Sequence, residues 1–146
     1  MKKIVLVSFL LVASLGFAQD KKAAKSIIRN DVSIKKYHSK EDLSRMEKGE
    51  LLVLYIERIE TLVKTLPYIA FATKPGKTMS TFGVPNTKEN RKTLEDKEEA
   101  TDDFLETTKE FQEKMLPYSD KADLVSAILF YEESLKLLHE YSAFQD

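Results

Sequence analysis

The chain has 146 residues, with 23 basic and 24 acidic side chains, a formal net charge of −1 and no cysteine. Such a balance offers no concentrated basic surface to neutralise phosphates, so nucleic-acid binding is not expected. The lack of cysteine excludes disulfides, thiolate metal sites, cysteine nucleophiles and an acylated N-terminal cysteine.

Residues 1–18 read as an export signal that contributes nothing to folding. Lys2 and Lys3 form a charged start, Ile4 to Leu15 is almost unbroken apolar sequence, and Gly16-Phe17-Ala18 supplies the small residues that signal peptidase requires before Gln19. A run of about twelve apolar residues is too short for a bilayer core of roughly 30 Å, which takes about 20. Cleavage is therefore expected, with a periplasmic or secreted product and no transmembrane segment after processing. Losing Lys2 and Lys3 with the signal moves the net charge from −1 to −3.

Residues 19–38 carry six basic side chains, Lys21, Lys22, Lys25, Arg29, Lys35 and Lys36, among few large apolar groups. They read as a flexible or loosely docked lead to a bundle domain over 39–146, with Ile27, Ile28, Val32, Ile34 and Tyr37 as a short docking element. The first strong helix is predicted to open at Ser39, whose hydroxyl and Asp42 match a capping box. Leu52, Tyr55, Ile56, Ile59, Leu62, Val63 and Leu66 then recur at helical steps until Pro67, with one further turn over 68–72.

The next helix is predicted from Asn86 as cap with Glu89 three residues on, and its apolar positions are Leu94, Phe104, Leu105, Phe111 and Met115. Its first half is poorly amphipathic, with seven acids and one lysine between Glu95 and Glu106, and is expected at the rim of the core. After Pro117 a last helix starts near Ser119 or Asp120. It carries Leu124, Ile128, Tyr131, Leu135 and Leu138 on one stripe, widened by Leu129, Phe130 and Leu137, and should pair with the first helix. The pattern predicts an all-α, up-and-down bundle of three long helices with a short fourth from the Tyr68 region or the lead. Leu66-Pro67-Tyr68 and Leu116-Pro117-Tyr118 match at an offset of fifty, as do Glu60 and Lys64 with Glu110 and Lys114; both faint duplication and convergence on one helix-ending device fit.

No motif specifies a reaction. The two histidines, His38 and His139, belong to neither a Glu-x-x-His pair nor a His-Glu-x-x-His helix, and His139 reads as a dipole partner at a helix C-terminus. Lys74-Pro75-Gly76-Lys77-Thr78 lacks the first glycine of a phosphate loop, because Phe71 stands there. Glu95, Glu99, Asp102 and Glu106 stack along one helical face, but a straight stripe cannot wrap a cation and reads as a solvated acidic surface. No catalytic residue, cofactor or metal site is assigned.

The best candidate surface is the segment 73–86, where Met79, Phe82 and Val84 sit among the breakers Pro75, Gly76, Gly83 and Pro85. They are either a lid over one end of the core or a partner-binding surface. Three functional expectations follow. The first is a non-enzymatic module that binds an envelope or secreted protein through these three residues. The second is a small-ligand or metal-binding bundle, conceivably an enzyme, using carboxylates and tyrosines with Thr101, Thr108 or Tyr131 turned into a pocket. The third is self-association through an exposed flank of the last helix.

Overall fold

The computed structural model describes residues 23–142. The predicted export signal at 1–18 lies outside the described residues. Within them the chain is an all-α bundle of one short and three long helices: α1 (Lys40–Arg45), α2 (Lys48–Thr65), α3 (Lys88–Met115) and α4 (Lys121–Ser142). The short fourth helix comes from neither the Tyr68 region nor the lead, because the predicted first helix is broken in two. Ser39 and Asp42 form the expected capping box, yet the backbone turns extended at Met46 and Glu47 before helix resumes. The Glu47 amide donates to the Glu50 carboxylate at 2.8 Å, so a second start signal sits five residues after Asp42.

Pro67 and Pro117 end their helices in the same way. Leu66–Tyr68 and Leu116–Tyr118 are single 3₁₀ turns in which the residue after tyrosine donates back to leucine, at 3.3 Å from Ile69 and 3.0 Å from Ser119. The two copies then diverge, since Ile69 stays helical and Ser119 is extended. The cap of α3 is Thr87, one residue later than expected, with its hydroxyl accepting from the Asn90 amide.

Helix α2 is central, packing most extensively on α4 and also on α3, while α3 and α4 share little contact. Tyr55 meets Tyr131 and Arg58 meets Glu132, so α2 and α4 run parallel; Lys64 reaches Asp102 while Lys48 reaches the Pro117 carbonyl just past α3, so α3 runs against them. The main core joins Leu43 of α1, Leu51 of α2 and Leu124, Val125 and Ile128 of α4, as expected for a core built by the first and last long helices. Two parts of the predicted stripes are corrected. Phe130 and Leu137 do not widen the buried face of α4 but stand 66% and 62% exposed. On α3 the buried residues are Leu94, Thr101 and Leu105, whereas Phe104, Phe111 and Met115 face solvent.

Residues 23–38 build a second, smaller core. Ile27, Ile28 and Val32 are buried with Ala72 against Tyr68 and Met79, and Ser26 forms an isolated antiparallel bridge with Thr78. Basic side chains of this lead meet the acidic half of α3: Lys25 with Glu95 and Glu98, Arg29 with Asp102. Burial works against the charge of Asp102, but hydrogen bonds from Arg29 and Lys64 outweigh it and hold the carboxyl below its ordinary range. A carboxylate depressed in the folded state stabilises above its unfolded pKa of about 3.9 and loses that contribution as pH falls through the folded value. Asp102→Asn should therefore be less stable than wild type at neutral pH, and the gap measured by urea unfolding should close below about pH 4. A gap unchanged down to pH 2.5 would exclude this linkage.

Candidate functional site

The segment 73–86 is tied to the lead in its first part, where the Ile27 amide donates to the Lys77 carbonyl at 2.8 Å and the Gly76 amide to Ser26 Oγ at 2.7 Å, and follows local rules from Thr78 on. Thr78 caps a 3₁₀ turn, Met79–Phe82, and Gly83 follows with φ 74°, a left-handed geometry that side-chain-bearing residues seldom adopt. That reversal lets the Val84 amide donate to the Met79 carbonyl at 3.1 Å, the long bond of a Schellman closure. Val84 is thereby folded back beside Met79 instead of running on into a linker.

Both side chains line a pocket of about 300 Å³ at this end of the bundle. Its apolar wall is Ile27, Tyr68, Phe71, Met79 and Val84; its other wall is the first turns of α3, from Asn90 through Thr93 and Leu94 to Lys97. Phe82, the third predicted residue, is not in the lining. It meets Phe71 edge to face, with ring centroids 5.8 Å apart, and so braces a lining residue from outside. Sequence reading missed Ile27, Tyr68 and Phe71, which come from segments far apart in the chain. It also missed Asn90, Thr93 and Lys97, whose spacing of three and four on one helical face was the available signal.

The pocket's polar groups are few and differ in kind. Asn90 donates one amide hydrogen to the Pro85 carbonyl at 2.8 Å and keeps a second. The Thr93 hydroxyl donates to the Glu89 carbonyl at 3.2 Å. Burial raises the Tyr68 hydroxyl above the ordinary tyrosine range, with Glu98 adding to the shift, so it stays protonated at neutral pH.

Other chemistry-bearing groups are differently placed. The acidic stripe divides: Glu95 and Asp102 receive Lys25 and Arg29, so this half of α3 is in part a receptor for the lead. Among the described residues no group of three or more histidine, cysteine or acidic side chains could hold a metal ion. Thr101 is buried and donates to the Lys97 carbonyl, and the cavity it shares with Arg29 and Asp102 measures only about 20 Å³. Tyr131 shares a 3.3 Å hydroxyl contact with Tyr55; burial first, then that contact, push it up to about 12, out of reach as a base at neutral pH.

His38 is brought to Arg58 and Glu132, a cluster that no spacing predicted. His38 Nδ1 lies 3.2 Å from both Arg58 Nη2 and Glu132 Oε1, so it meets the guanidinium as an acceptor or the carboxylate as a donor, according to its tautomer. Arg58 and Glu132 are 1% and 0% exposed, which leaves no access for a substrate. His139 lines a cavity of about 40 Å³, and burial with the nearby Lys74 lowers its pKa, which weakens the dipole-partner reading. Among the described residues no helix is long and apolar enough to cross a membrane. Comparison with known proteins finds no matching family model, no similar curated protein and no similar solved structure.

Proposed function

We propose that this protein is an exported, non-enzymatic helical module that holds an apolar group of an envelope or secreted partner in its bundle-end pocket. The observation that carries the reading is the roughly 300 Å³ pocket with one apolar wall, built partly by Met79 and Val84. Its size falls at the small end of ligand sites, suited to one chain or ring system. Export rests on residues 1–18 of the sequence.

The neutral dye N-phenyl-1-naphthylamine reports occupancy by blue-shifted emission. The protein lacking residues 1–18 should enhance the dye saturably with one site, and Val84→Glu should abolish the enhancement while leaving the helical circular dichroism unchanged. No saturable enhancement, or a Val84→Glu variant that binds as wild type, would refute the reading.

A second reading, self-association, is favoured by Phe130 and Leu137, two exposed residues seven apart on one flank of α4. Such a stripe is self-complementary about a two-fold axis. If it operates, mass by light scattering rises toward twice the monomer with concentration, and Phe130→Glu with Leu137→Glu holds the protein monomeric. A monomer mass throughout rejects it.

A further inference from the structure

We propose that the occupant of the bundle-end pocket is an alkyl chain ending in a free carboxylate, with Lys97 as the anion's partner. This rests on the reading of that pocket as the binding site.

Three acidic groups near Lys97 are already engaged. Lys25 takes Glu95 and Glu98, and Lys92 takes Asp96 at 2.8 Å. Lys97 itself forms no ion pair among the described residues, so its ammonium is the cation that the rim offers to a ligand. An occupant that covered it without an acceptor would leave a charged donor without a partner, which is costly.

The polar groups beside it are biased the same way. Asn90 has one amide hydrogen still to give, while the Thr93 proton is committed to Glu89. A site with donors to spare and one positive charge matches an acceptor-only head of one negative charge, which a carboxylate is. A cationic head would meet Lys97 with like charge.

The rest of the lining decides between a chain and a peptide. A peptide brings main-chain amides that need partners along its length, and peptide carboxylates are usually caught by backbone N–H groups. Here the wall opposite α3 offers Ile27, Phe71, Met79 and Val84, with Tyr68 its one polar side chain. Methylene groups need nothing from such a wall beyond contact.

The test displaces N-phenyl-1-naphthylamine from the protein lacking residues 1–18, using decanoate, decanol, decyltrimethylammonium and a hexapeptide ending in phenylalanine. Decanoate is expected to displace the dye at about one-tenth of the decanol concentration, as a charge-assisted hydrogen bond implies. Lys97→Met should erase that tenfold preference, with each potency referred to the same variant's own dye affinity, and Lys97→Arg should retain it. Equal potency of decanol and decanoate, with the dye bound, would overturn the carboxylate assignment and leave the pocket reading standing. Displacement by the hexapeptide alone would replace the acyl chain with a peptide terminus. A protein that binds no dye would overturn the pocket reading and this proposal together.

Discussion

Arg58→Leu should lower the free energy of unfolding by about 3–5 kcal/mol, and so should Glu132→Leu, while the double replacement should recover most of the loss. Arg58 Nε and Nη2 donate to Glu132 Oε1 at 3.0 and 2.8 Å, in a site that water does not reach. Removing Arg58 strands the Glu132 charge in that interior, and removing Glu132 leaves Arg58 only the partly exposed Glu57, bound at Nη1, while Nε loses its acceptor. Removing both exchanges a desolvated pair for apolar volume between α2 and α4, a substitution that is often neutral or better. The pair has a second duty: Arg58 Nη2 donates to the Lys36 carbonyl at 2.7 Å, and the His38 amide donates to Glu132 Oε2 at 2.7 Å. The double variant should thus regain its urea midpoint yet show faster amide hydrogen exchange at His38, because the clamp on the lead is gone. Single variants costing under about 1 kcal/mol would mean that the site admits water.

Ile128→Ala should cost about 2–5 kcal/mol, whereas Phe130→Ala, two residues away on the same helix, should change stability by no more than about 0.5 kcal/mol. Ile128 is 0% exposed and belongs to the core with Leu51 and Leu124, so truncation loses transfer energy and opens a cavity among residues of three helices. Phe130 touches the edge of Tyr131 at a 5.7 Å centroid separation and otherwise faces solvent. Comparable losses at the two positions, measured by urea unfolding, would mean that Phe130 is covered in solution, and the monomeric Phe130→Glu and Leu137→Glu variant would then show whether a second copy covers it.

The helices were legible because their apolar residues repeat at 3.6, and the two prolines marked ends that the chain respects. Which face of a helix turns inward was less so, and α3 shows why. Leu94, Thr101 and Leu105 step by seven and four; Phe104, Phe111 and Met115 do the same, ten residues on. At 100° per residue the two stripes lie roughly 80° apart, so periodicity accepts either as the core face. The choice is made by α2, the long helix on which α3 packs, and it takes the stripe containing a threonine and leaves the one containing two phenylalanines outside. The break at Met46 was hidden for a different reason: Glu47 is a weak N-cap residue, overshadowed by the stronger signal at Ser39.

The pocket was half legible. Breaker residues around Met79 and Val84 pointed to a folded loop, but Ile27 reaches the same wall from 52 positions before Met79, and nothing local announces such a meeting. Charge held a usable clue. A basic lead and an acidic helix half in one small chain are natural partners, and reading the first as a flexible or loosely docked lead and the second as a solvated face concealed the pairing of Lys25 and Arg29 with α3.

The Ser26 to Thr78 bridge has a consequence for the order of folding. Its members are far apart in sequence, so closing that loop costs chain entropy that only the completed surroundings return. Helices α2 and α3, adjacent in the chain, are expected to associate before the lead finds its place. Ile27 is therefore the last part of the binding wall to arrive, and competence to hold a ligand should appear as a distinct late phase in refolding, after the helical signal is complete.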